Sequence, residues 1–325
     1  EKENKNGLIQ ICNKINPSNK IKSIVKIKKG GNSNVYKLQD YKNNLLLLKE
    51  YPNDPLEIKS RLKNELDALK LLYDFENVPT IINYNHSMDL LILEYIKGRT
   101  IKKITHQNLF DALIFVEQLY KLSNNKSYSL ATEACLNANE LVNQIDKRFI
   151  KFKLTQNKDL QKIITKLFKL YEIVRKRAYE LWPKYNINKN LKKKFLTFSP
   201  SDFGFHNAIL NEKNKLKFID FEYFGLDDPV KLISDFLWHP GMELTEKQKI
   251  TFTTDFYRIF KKDKYLKQRL NAAFSLYGIR WGLIILNNFI NNKVINKNKL
   301  ELQIVKSKKI YNSIITNNME FIYDK

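Results

Sequence analysis

The chain changes character near residue 98, and that change limits the folds open to it. Before it lie short β-like runs at Ile21 to Lys28, Asn34 to Gln39, Leu45 to Glu50 and Leu90 to Ile96. A helical stretch, Pro55 to Tyr73, sits among them and opens on a proline after Asp54. Beyond residue 98 the apolar spacing predicts helices over roughly 107–123, 130–151, 158–182, 246–261, 265–292 and 299–317. One compact block of strand and turn signals, from about 195 to 228, interrupts them. The expected fold class is α+β, with a small β-rich N-terminal lobe (1–97) and a larger, mainly helical C-terminal lobe (98–325). A chain of 325 residues has ample core for two such lobes.

Composition excludes several functions. The 57 Lys+Arg against 34 Asp+Glu give a formal charge of +23, which invites a nucleic-acid reading. Only eight of the basic residues are Arg, however, leaving 49 Lys spread along the chain beside abundant Asn and Ile. Arg is the side chain that forks onto phosphate and guanine, so this is a lysine-rich background and no nucleic-acid partner is expected. No apolar run reaches the roughly 18–20 residues of a membrane span, and the polar start, Glu1 to Asn6, does not read as a signal peptide. Cys12 and Cys135 are the two cysteines, too few for a disulfide framework and suited to a reducing, cytoplasmic setting. Glycine is scarce: nine, where average usage of roughly 7% would give about 23.

Two of those glycines, Gly30 and Gly31, lie between strand-like segments in Lys-Lys-Gly-Gly-Asn-Ser-Asn. A turn without side chains lets backbone N–H groups approach a phosphate, and Ser33 and Asn34 add donors. The same letters also make an ordinary hairpin turn. Lys49 ends the buried run Leu45 to Leu48 and can hold nucleotide phosphates, or be the solvated end of the strand. At about 100° per residue, Glu65 falls inside the apolar arc of Ile58, Leu62, Leu66 and Leu69. A carboxylate on a buried face needs a partner, for which Lys49 is suited, unless it snorkels to water.

The strongest block is Phe198-Ser-Pro-Ser-Asp-Phe-Gly-Phe-His-Asn207, followed by Leu216-Lys-Phe-Ile-Asp-Phe-Glu222. Asn207 and Asp220 supply the hard oxygens that suffice for magnesium. Asp202, left outside that pair, can orient a hydroxyl and accept its proton.

With these residues in this order, the chain resembles the aminoglycoside phosphotransferase / choline kinase group, small-molecule relatives of protein kinases. The resemblance runs from about 30 to 240 and implies a bilobal protein-kinase-like fold that uses ATP and Mg2+ to phosphorylate a hydroxyl of a small molecule. It implies that Gly30 and Gly31 cover the ATP phosphates and that Lys49, paired to Glu65, contacts the α- and β-phosphates. It also implies that Glu94 to Ile96 form the hinge beside adenine, that Asp202 is the catalytic aspartate, and that Asn207 and Asp220 hold magnesium. Five of the nine glycines (30, 31, 98, 204, 225) then fall at the phosphate loop, the hinge, the catalytic loop and just past the metal aspartate. One departure stands out: Pro200 occupies the place of the family's histidine two residues before the catalytic aspartate. A His-Arg-Asp triplet and an Ala-Pro-Glu are missing too, so a protein substrate is not expected.

Trp238, Arg280 and Trp281 are the candidate walls of the acceptor pocket, since an indole can stack on a sugar or hold a quaternary ammonium. The segment Leu276 to Leu283 also reads as ordinary core. A polycationic aminoglycoside prefers an acidic wall, which the sequence after 240 does not offer, so a sugar or an amino alcohol is favoured over the drug. A non-catalytic nucleotide-binding pseudokinase is the alternative from another class, and a monomer or dimer is expected.

Overall fold

The computed structural model describes residues 2–29, 33–52, 60–290 and 296–324. The chain begins with α1 (Lys2–Ile15), β1 (Ile21–Lys29), β2 (Asn34–Asp40), β3 (Leu45–Glu50), α2 (Arg61–Leu71), β4 (Ile81–Asn85), β5 (Leu90–Glu94) and β6 (Gly98–Thr100). Next come α3 (His106–Asn125), α4 (Ala138–Lys151), α5 (Lys158–Leu181), β7 (Thr197–Ser199), β8 (Ala208–Asn211), β9 (Leu216–Phe218) and β10 (Gly225–Asp227). The last helices are α6 (Pro229–Trp238), α7 (Glu246–Ile259), α8 (Leu266–Ile284) and α9 (Lys297–Thr316). They form two compact units, Glu1–Lys102 with Phe205–Phe224, and Lys103–Gly204 with Gly225–Lys325. The linear division at residue 97 is thus replaced by an interleaved one, because β8 and β9 pair with β6 rather than with any strand of the second unit. Gly30, Gly31 and the expected helix start at Pro55 lie outside the described residues.

In the first unit an antiparallel sheet runs β1-β2-β3-β5-β4. Its alternation decides which side chains meet. Leu46 and Leu48 of β3 join Leu38, Ile92 and the α1 residues Leu8 and Cys12 in one buried cluster. Lys49, next in line, turns to the opposite face, where Glu65 of α2 is buried. Ser60 caps α2 by accepting the Lys63 N–H. A second small sheet runs β6-β8-β9. A Cβ on Gly98 would stand 2.4 Å from the Leu210 carbonyl oxygen and 2.7 Å from Ile209 Cγ2, so close strand approach excludes any other residue.

In the second unit α8 packs against α4, α5, α6 and α9, and it is buried almost all round. Leu276, Ile279 and Leu283 are fully buried, at about 1.5–3 kcal/mol of transfer free energy each. The helix expected from residue 130 begins only at Ala138, capped by Asn137. The intervening segment is pinned to β10: Leu130 bridges Leu226, and Ala131 donates its N–H to the Leu226 carbonyl. The backbone at Ala131 comes so near that a Cβ on Gly225 would lie 2.3 Å from its nitrogen. Asp228 caps α6, with Pro229 at the first helical position.

Candidate active site

In the first unit Lys49 stands at the centre of a buried charge cluster. Its Nζ lies 2.5 Å from Glu65 Oε2 and 3.0 Å from Asp220 Oδ1. The Tyr51 hydroxyl donates to the same Glu65 oxygen. Burial alone would lower the Lys49 pKa, but Glu65, Tyr51 and Asp220 outweigh it and hold the ammonium firmly protonated. Asp220 sits at φ 72°, in the left-handed region that Asp tolerates better than most residues. Asn64 ties α2 to this segment by donating to the carbonyls of Glu222 (2.8 Å) and Phe224 (3.1 Å).

Lys49, Glu65 and Asp220 line a cavity of about 300 Å³ within the first unit. Val35 and Leu47 from the large sheet and Ile209 and Ile219 from the block after residue 205 make its apolar lining. Ser33, Lys49, Glu65, Asn207 and Asp220 bring polar groups to it, and Glu94, Tyr95, Ile96 and Gly98 also line it. Asn34, in contrast, donates to Glu50 Oε2 at 3.0 Å and does not line the cavity. The expected nucleotide residues that are described thus line one cavity of the first unit, Asn34 excepted.

Carboxylate oxygens of Glu65, Asp220 and Glu222 lie within 4.8 Å of one another, a hard-oxygen set suited to a divalent cation. Crowding leaves its mark on Glu222. Burial, and then the charge of Asp220, push its pKa up to about 7. Between its ordinary 4.5 and about 7, the folded chain therefore holds a proton that the unfolded chain has released. Stability contributed by this group falls as pH rises through that window. We expect Glu222→Gln to flatten the fall in melting temperature between pH 5 and 8; parallel curves for variant and wild type would sink this reading.

In the second unit Asp202 follows a turn through Ser199, Pro200 and Ser201. Ser201 sits at φ 66°, and its N–H is taken up by Ser199 Oγ at 3.0 Å. Phe203 stacks on Phe236 at 5.3 Å and packs against Phe115, which anchors the loop just past Asp202. His239, from the end of α6, places Nε2 3.9 Å from Asp202 Oδ1. On sequence His239 belongs to the candidate wall segment Trp238-His239-Pro240, and nothing in its spacing from Asp202 signals this contact.

The three expected acceptor residues have different surroundings. Trp238 is buried, stacked on Phe274 at 4.7 Å, with its indole N–H bound to the Phe274 carbonyl. Arg280 donates to Glu133 Oε2 (2.7 Å) and Asp235 Oδ1 (3.3 Å). Trp281 donates to the same Asp235 oxygen at 2.8 Å and meets the His239 ring edge to face. Arg148 also binds Glu133, so two arginines answer that half-exposed carboxylate.

No family model matches the chain, and no curated protein matches it in sequence. Solved structures do match. The choline kinase LicA from Streptococcus pneumoniae superposes with a TM-score of 0.64 at 14% identity, covering 94% of this chain and 99% of that one. Spectinomycin phosphotransferase APH(9)-Ia, solved with ADP and spectinomycin, gives 0.64 at 11% identity over 97% and 98%. A choline kinase from Cryptosporidium parvum Iowa II gives 0.60 at 16% identity, over 97% of each chain. The fold is that of the protein-kinase-like small-molecule kinases. The expected α+β organisation, a β-sheet region followed by a larger helical one, is therefore the observed one. No described helix is long and apolar enough to cross a membrane.

Proposed function

We propose that the chain is an ATP- and magnesium-dependent phosphotransferase acting on a hydroxyl of a small molecule, a sugar or an amino alcohol such as choline or ethanolamine. One observation carries this reading: a buried Lys49–Glu65 pair, with Asp220 on the same ammonium, at an apolar cavity that Glu94 to Ile96 also line. Such a cavity suits a planar base, and a permanently charged lysine suits phosphates. The structural neighbours, among them choline kinases and a phosphotransferase solved with ADP, support it.

In this reading Ser33 faces the phosphates, and Glu94 and Ile96 offer backbone groups to the base. Magnesium held by Asn207 and Asp220, with Glu222 beside them, would neutralise phosphate charge. Asp202 accepts the proton of the acceptor hydroxyl as the new O–P bond forms and the bond to the β-phosphate breaks. Trp281 and Arg280 shape the acceptor side, Arg280 through its hold on Asp235 and Glu133. The pairing of Glu133 with two arginines leaves less negative charge for a polycation, which favours a sugar or amino alcohol over an aminoglycoside. Use of ATP implies a cytoplasmic location.

The test is an ATP-consumption screen with magnesium against choline, ethanolamine, sugars and aminoglycosides. Turnover with one acceptor class supports the reading. Tight ATP binding without turnover on any of them would replace it with a nucleotide-binding pseudokinase.

A further inference from the structure

We propose that His239 is a second residue that handles the acceptor: its Nε2–H donates a hydrogen bond to the hydroxyl oxygen whose proton passes to Asp202. This rests on the kinase reading above and assigns a donor to the acceptor side of that reaction.

The ring's chemistry is set by its other nitrogen. His239 Nδ1 accepts the backbone N–H of Gly241 at 3.0 Å. A backbone amide only donates, so Nδ1 carries the lone pair and the proton of the neutral ring is on Nε2. Nε2 is the atom that faces Asp202, at 3.9 Å from Oδ1. That separation is too long for a direct hydrogen bond, yet one oxygen about 2.8 Å from each atom spans it. An alcohol fits the place: it gives its own hydrogen to the carboxylate and takes the imidazole hydrogen on a lone pair. A protonated amine has no lone pair to offer Nε2–H. The pair therefore selects oxygen as the atom that is phosphorylated, whatever charge the rest of the acceptor carries.

The ring is held for this purpose from several sides. The His239 N–H closes α6 on the Asp235 carbonyl at 2.9 Å. Its imidazole meets Trp281 edge to face, with centroids 4.8 Å apart, and the Trp281 indole is fixed by buried Asp235. Lys231 (2.9 Å) and Arg280 (3.3 Å) in turn hold Asp235. The His239 side chain is 15% exposed and that of Asp202 42%, so solvent-borne ligands reach both while the histidine is mostly enclosed. Position 200, two residues before Asp202, is a proline, and the imidazole near this carboxylate comes from the end of α6.

Three substitutions in the full chain separate the donor from mere packing. His239→Phe keeps the aromatic contact with Trp281 and removes both nitrogens. His239→Asn keeps a short polar group near Gly241 without reaching Asp202. His239→Gln carries its amide nitrogen to about where Nε2 stands. With the acceptor found in the screen, we expect kcat to fall about 10- to 100-fold in the Phe and Asn variants, the loss of one hydrogen bond made to the reacting group. The Gln variant should stay within about 5-fold of wild type, and the KM for ATP within about 2-fold in all three. A Phe variant within about 2-fold of wild-type kcat, or a Gln variant as poor as Phe, overturns the proposal while the kinase reading stands. A wild type that turns over no acceptor overturns both. Nitrogen-15 NMR of the ligand-free wild type gives a readout without turnover: a ring protonated on Nε2 is expected, and one protonated on Nδ1 alone overturns the assignment.

Discussion

Replacing Asp202 by Asn is expected to lower kcat about 10²- to 10⁴-fold, the scale of losing a general base. The amide matches the carboxylate in size but cannot accept the hydroxyl proton. The loop itself has independent supports: the Ser201 N–H on Ser199 Oγ, and Phe203 stacked on Phe236. The variant should therefore melt with the wild type. Nucleotide affinity should also persist, because Lys49, Glu65 and Asp220 form their own cluster. Calorimetric ATP binding together with steady-state turnover checks both halves. Near-full turnover would remove Asp202 from the chemistry.

The largest stability effect is expected at Arg269. Its guanidinium is fully buried and binds Asp228 through two nitrogens, Nε at 3.0 Å and Nη2 at 2.9 Å, and Asp263 at 2.9 Å. Asp228 also caps α6 through the Val230 N–H. Arg269→Met would strand two carboxylates in the core of the second unit, at a cost of about 3–5 kcal/mol. In a unit of this size that corresponds to a melting temperature lower by on the order of 10 °C. Arg269→Lys should rescue little, since an ammonium cannot reproduce the fork that grips Asp228 on both oxygens. Lowering the pH should shrink the deficit of the Met variant, because stranded carboxylates can then take up protons. Melting of the Met variant within about 2 °C of wild type would contradict the role given to this triad.

What could be read from the sequence was what local periodicity encodes. Glu65 was legible because a carboxylate inside an apolar helical arc asks for a cation, and Lys49 was the cation at hand. The strands at 34 and 45 and the helices at 158, 246 and 299 carry clear alternation or helical spacing, and they form close to where that spacing puts them. α1 was missed because its lysines and asparagines mask Leu8, Cys12 and Ile15, which lie three or four apart and line one face. The start of α4 was misplaced because the pairing of Leu130 with Leu226 is a contact of distant residues, invisible to a local window. The same holds for His239 beside Asp202, and for Arg280 between Glu133 and Asp235. Buried charge networks are solved by topology, and no spacing announces them.

The interleaving of the two units bears on how the chain is born. β6 finds its partner only in β8, about a hundred residues on, and Lys49 finds Asp220 later still. A nascent chain that has emerged as far as residue 102 holds the five-stranded sheet but neither of these partners. Since non-local pairings form late and slowly, the first unit stays unfinished through synthesis of half the second. The five-stranded sheet leaves the ribosome long before residue 220, yet the charged cavity beside it cannot be completed until that residue has followed.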